Sequence, residues 1–146
     1  MADRWRLRCK AIADRVMPAE EAAAFIGPGS HVGMSGFTGF GRPKAVPAAL
    51  VRRVTDAAAR GGRFAVSVWT GSSTAPELDG ALAAVDGIDL RMPYQSDPVS
   101  RAKINAGRLD YLDMHLSHVR RWWKKASSVT STSRSSRSLA SPQRGR

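Results

Sequence analysis

Two hydrophobic periods alternate along this chain. Val46, Leu50, Val54 and Ala57 recur at helical spacing, with Arg52, Arg53, Asp56 and Arg60 assigned to the opposite side. Gly61-Gly62 ends that helix, and Pro43 and Pro47 leave its start between them. Phe64 to Thr70 is β-branched and aromatic and reads as the clearest strand. Ile88 to Met92 reads as a second strand, His31 to Ser35 as a short buried one, and Leu109 to Leu112 as a fourth. Between them, Thr74-Ala75-Pro76-Glu77 has the form of a capping box opening a helix to about Ala84, with Glu77 as its N3 residue. Asp97-Pro98 opens another helix, to about Gly107. Upstream, residues 4 to 16 form an amphipathic helical pattern. A helix then starts at Pro18, with Glu20 and Glu21 near its positive end, and stops near Gly27-Pro28-Gly29.

Strands alternating with helices of these lengths predict an α/β fold, a mostly parallel sheet with flanking helices built from right-handed βαβ units. In such sheets ligands sit at the carboxyl ends of the strands. Three turns fall there: residues 33 to 44, Gly71 to Thr74, and Pro93 to Ser96. The first is the most informative. Gly33, Gly36, Gly39 and Gly41 lie within nine residues, between a strand and a helix. Glycines turning into a helix start leave backbone N–H groups free to face an anion. A phosphate, carboxylate or thioester oxygen would suit that cradle, and a ligand-free tight turn is the alternative. Arg42-Pro43 after Gly41 does not fit a Walker A loop, and Lys44 stands where a dinucleotide fingerprint needs glycine.

Composition changes this picture mainly at the end of the chain. The 146 residues are 42% hydrophobic, enough for one domain with a core. The formal net charge of +11 is uneven: residues 120 to 146 hold eight of the 23 basic residues and no acidic one. That segment contains Trp122-Trp123-Lys124-Lys125 and then Ser/Arg-rich sequence without apolar periodicity, so a disordered tail is expected. Phosphate neutralisation and base stacking by this tail are the basis for an alternative reading, a small nucleic-acid-binding protein. Cys9 is the single cysteine, which fits a reducing compartment. With no apolar run of spanning length and no signal-peptide core, the expectation is a cytoplasmic protein without membrane contact. Asp3 and Asp14 speak against a mitochondrial leader in the Arg-rich start. His115 and His118, with Asp110 and Asp113, invite a metal reading, but a site needs three or four converging ligands, and none is assigned.

Several segments together, in order and spacing, resemble the N-terminal region of the acetyl-CoA hydrolase/CoA-transferase family. They are Arg8-Cys9-Lys10, Ala19-Glu20-Glu21-Ala22-Ala23, Gly33-Met34-Ser35-Gly36-Phe37-Thr38, Gly41-Arg42-Pro43-Lys44-Ala45-Val46-Pro47, Pro76 to Leu82, Pro93 to Pro98, Ile104 to Gly107 and His115 to His118. The resemblance covers about residues 4 to 119. It implies the first half of a CoA-transferase-like fold over residues 1 to 119, followed by the tail at 120 to 146. It also implies an enzyme of two similar halves, dimeric in its full-length relatives, that moves CoA between an acyl group and a carboxylate such as acetate or succinate, or hydrolyses the acyl-CoA. Coenzyme A or its thioester would be substrate, with no tightly bound cofactor.

In that family a glutamate attacks the thioester carbonyl, and CoA thiolate then opens the acyl-glutamyl anhydride. Backbone N–H groups stabilise the developing oxyanion. The nucleophile lies in the half that this chain lacks, and none of Glu20, Glu21 and Glu77 has its context. No catalytic residue is therefore assigned, and the chain is expected to be inactive alone. Gly36, Phe37, Thr38, Gly39, Gly41 and Lys44 carry over as the first half's contribution to the acyl or carboxylate pocket. The abrupt change after Val119 is expected of a truncated product with an out-of-frame tail. The DNA sequence beyond the Val119 codon tests this, since it must encode the remaining transferase in a shifted frame.

Overall fold

The computed structural model describes residues 15–34, 41, 43–72, 75–119 and 121. Four strands, β1 (His31–Met34), β2 (Val66–Thr70), β3 (Ile88–Met92) and β4 (Asp110–Tyr111), form one parallel sheet in the order β1-β2-β3-β4. The helices are α1 (Ala19–Ala24), α2 (Ala45–Ala59), α3 (Ala81–Ala84) and α4 (Pro98–Asn105). A sequential strand order with crossovers of one hand carries every connecting helix to the same face. The helices meet one another accordingly: α2 packs on α1 and α3, and α3 on α4. This is the α/β, mostly parallel arrangement that the alternating pattern predicts.

The core lies between that helical layer and the sheet. Leu50 and Val54 of α2, Leu82 of α3, Val66 and Val68 of β2 and Ile88 of β3 are all buried in it. The inward stripe of α2 follows the expected spacing, because residues three and four apart share a helix face. Arg53 departs from it. Rather than facing solvent, its guanidinium donates to the carbonyls of Ala23 and Ile26 at the end of α1 and lies 4.9 Å from the Phe64 ring centre. It adds a second donor to the Ala23 carbonyl, which also accepts the Ile26 N–H, and bonds the Ile26 carbonyl beyond the helix end. The end of α2 is as the sequence predicts. Gly61 takes φ +73°, and Gly62 N–H reaches back to the Ala57 carbonyl at 2.9 Å.

The segment from 74 to 84 differs from expectation. Thr74 lies outside the described residues, the helix starts at Pro76, and no side chain caps it at Ala75. Glu77 is therefore its second residue. Its first five residues, Pro76–Gly80, form a π-turn: Gly80 N–H reaches Ala75 at 3.3 Å and Ala81 N–H bonds Pro76. Elsewhere the bounds tighten. β2 starts at Val66, α1 ends at Ala24 and β4 keeps only two residues. The helix predicted over residues 4 to 16 lies outside the described residues except for its last two positions. The tail from 120 onward lies outside them except for Arg121, as does the nucleic-acid reading built on it. Among the described residues, no helix is long and apolar enough to cross a membrane.

Candidate functional site

Parallel strands end at one edge. Met34 of β1 pairs with Thr70 of β2, and Trp69 of β2 with Met92 of β3, so the carboxyl ends of three strands share a rim. The three turns that the sequence marks, residues 33 to 44, Gly71 to Thr74 and Pro93 to Ser96, come at these strand ends in chain order. Of the predicted loop residues, Gly36, Phe37, Thr38 and Gly39 lie outside the described residues. Gly41 holds φ +64°, a conformation that favours glycine. Lys44 is exposed and occupies the cap position of α2, with no side-chain cap bond. Between the end of β1 and the start of α2 lies a cavity of about 500 Å³, walled chiefly by Ile26, Val32, Met34, Pro43 and Val46. Its described side chains are apolar, and backbone polar groups share the lining. Lys44 directly follows the lining residue Pro43 in sequence.

The second feature of the rim is polar, and the sequence reading does not find it. Arg91 of β3 is fully buried. Its guanidinium donates to Thr70 Oγ1 at 2.8 Å, to Asp79 Oδ2 at 3.1 Å and to the Met92 carbonyl. Asp79, in the π-turn, is equally buried and also accepts from Gln95 Nε2 at 3.3 Å. Gln95 Oε1 in turn takes the Asp97 N–H at 2.7 Å, and Asp97 Oδ1 caps α4 by accepting from Ser100 N–H at 2.9 Å. One chain of bonds thus joins the ends of β2 and β3, the π-turn, the 93–97 loop and the start of α4. Burial pushes the Asp79 carboxyl above the ordinary carboxylate range; Arg91 and Gln95 pull it back without cancelling the rise. Asp79 Oδ1 and Ser100 Oγ have no partner among the described residues.

Only Asp97 announces itself in the sequence, as a cap before Pro98. For Arg91 the sole local signal is a charge at a strand position facing the helices. For Asp79 there is none, because an acid in the first turn of a helix reads as solvated.

The third feature is an open groove of about 590 Å³ over the ends of β2, β3 and β4, lined by Ser72, Tyr94, Asp113, Met114, His115 and Leu116. Tyr94 projects into solvent while its neighbours Pro93 and Gln95 are buried. Tyr111 O–H donates to the Pro93 carbonyl at 2.8 Å. Burial and the nearby Asp113 push the Tyr111 hydroxyl above its usual range. His115 and His118 stand 6.0 Å apart, and His115 Nδ1 is paired with Ser117 Oγ at 2.8 Å. Among the described residues, no group of three or more His, Cys, Asp or Glu side chains could hold a metal.

Comparison with known proteins matches residues 3–132 to the acetyl-CoA hydrolase/transferase N-terminal domain. The match runs past Val119, where the sequence pattern changes. Among curated relatives, the succinyl-CoA:acetate CoA-transferase of Clostridium kluyveri is 43% identical over 114 residues, 78% of this chain and 21% of that protein. The propanoyl-CoA:succinate CoA transferase of Escherichia coli is 38% identical over 103 residues, 70% of this chain and 21% of that protein. An acetyl-CoA hydrolase of Saccharomyces cerevisiae is 37% identical over 113 residues, 77% of this chain and 21% of that protein. The chain spans about a fifth of the length of these relatives.

Proposed function

The chain belongs to the acetyl-CoA hydrolase/transferase N-terminal domain family, and from that premise we propose that it supplies one rim of a site for an acyl-CoA and a small carboxylate, without turning either over by itself. The observation that carries this reading is the place of the glycine loop. In sequence, Gly36, Phe37, Thr38, Gly39, Gly41 and Lys44 come between β1, which ends at the carboxyl edge of a parallel sheet, and α2; backbone N–H groups of such a loop would face a thioester or carboxylate oxygen. The apolar cavity beside Gly41 would receive the acyl carbons, and Lys44 would draw in a carboxylate.

The covalent step of a transferase needs a glutamate aimed at the thioester carbonyl. Three glutamates are available here. Glu20 is bonded to Arg52, and Glu21 is exposed on α1. Glu77 is exposed in the π-turn. We assign the nucleophile to none of them.

The test is direct. Purified chain is incubated with acetyl-CoA, with and without succinate, while a thiol reagent follows CoA release and chromatography follows succinyl-CoA. No turnover above background is expected, whereas acetyl-CoA or CoA raises the melting temperature. Turnover abolished by Glu77→Gln would show that this chain carries its own nucleophile and would overturn the second half of the proposal. No stabilisation by either ligand would overturn the first.

A further inference from the structure

The loop at 93–97 has a construction of its own. Pro93, Gln95 and Asp97 point inward and are buried, while Tyr94 and Ser96 point outward. That is the alternation of a strand, although among the described residues no sheet ladder holds it. Side chains do: Gln95 bonds Asp79, Asp97 N–H bonds Gln95, and Asp97 caps α4. Gln95 ties this chain of bonds to Asp79, which is fixed by Arg91, and Arg91 also grips the carbonyl of Met92, where the loop begins. The packing leaves no slack. A Cβ placed on Gly80 would lie 2.7 Å from Asp97 Oδ2, so the π-turn and the loop touch backbone to carboxylate.

A buried ion pair is a poor device for stability, because apolar residues of similar volume often serve as well or better. What such a pair does supply is direction: a guanidinium bonds only where acceptors stand in its plane. We propose that Arg91, through Asp79, is a positioning residue that fixes the 93–97 loop and so sets Tyr94 against Ser72 and Leu116 as one wall of the rim groove, a wall that an acyl-CoA meets. The last clause rests on the function proposed above; the fixing of the loop does not.

The chain has only two tyrosines, Tyr94 on the loop and Tyr111 bonded to its first carbonyl. Incorporation of 3-fluorotyrosine therefore yields two fluorine resonances, assigned with Tyr94→Phe. In the native chain each is expected as a single line. In the double variant Asp79→Leu with Arg91→Met, melting is expected within a few degrees of native. There the Tyr94 line splits or broadens, and acetyl-CoA, titrated by calorimetry, binds at least tenfold more weakly. A folded double variant with an unchanged Tyr94 line overturns the proposal, as does a changed line with unchanged acetyl-CoA affinity. Should the double variant not fold, Gln95→Met takes its place, since it cuts the link between Asp79 and the loop, together with the Gln95–Asp97 bond inside the loop, and leaves the Arg91–Asp79 pair in place; a sharp native-like Tyr94 line there overturns the proposal equally. If the native chain fails to bind acetyl-CoA, the functional reading falls, and the fluorine spectra still decide whether Arg91 holds the loop.

Discussion

Asp79 and Gly80 are adjacent, and each is constrained by a different physical term. For Asp79 that term is desolvation, which raises the carboxyl pKa above its unfolded value of 3.8. The sign follows from linkage. A carboxyl that binds its proton more tightly when folded contributes stability that is complete below pH 3.8 and is lost as pH rises through the folded pKa. Asp79→Asn removes this dependence. The melting temperature of the native chain should therefore fall relative to the variant on going from pH 4 to pH 7, and a constant difference across that range would exclude the assignment. For Gly80 the term is steric. The Asp97 carboxylate that a new methyl would meet is held by the Ser100 N–H, and the Asp97 backbone by Gln95, which restrains it from swinging aside. Gly80→Ala is expected to destabilise by about 1–3 kcal/mol, measured by denaturant titration.

At the scale of elements, α2 shows what local pattern can and cannot reveal. Its apolar stripe predicts the buried face, and Leu50, fully buried at the centre, should cost about 2–5 kcal/mol when changed to Ala. Its end was legible too. Gly61 is required by its positive φ, and Gly61→Ala should cost about 1–2 kcal/mol in the same titration. Arg53 was not legible, because an arginine between apolar positions reads as the solvated side of a helix. Only the approach of α1 gives it carbonyls to bond. The segment from 74 to 84 misleads for a related reason. Its Ser/Thr-to-Glu spacing matches a capping box, while the chain widens into a π-turn that swings Asp79 under the sheet toward Arg91. Sequence spacing assumes 3.6 residues per turn and carries no sign of a wider one.

At the scale of the molecule, the candidate site is assembled by topology. The carboxyl ends of β1, β2 and β3, which lead into the glycine loop, the 71–75 turn and the 93–97 loop, are far apart in sequence and lie side by side because the strands run parallel and in order. If the rim binds acetyl-CoA, ligand at a hundred times its dissociation constant should stabilise the chain by about 2.7 kcal/mol, read as a rise in melting temperature that grows with ligand concentration. A flat response would remove the rim as a CoA site.

The sequence by itself determined which elements form, their order and the parallel sheet, because hydrophobic period, glycine stops and proline starts act between near neighbours. Joined to family resemblance, it also singled out the loop after β1 that we propose as a binding loop. The tertiary structure alone decided what lies beneath that rim. Arg91 and Asp79 stand on different elements, and each taken singly has the chemistry of a surface residue. A buried charge is tolerated only with a partner in reach, and whether that partner is in reach depends on how the π-turn packs against β3.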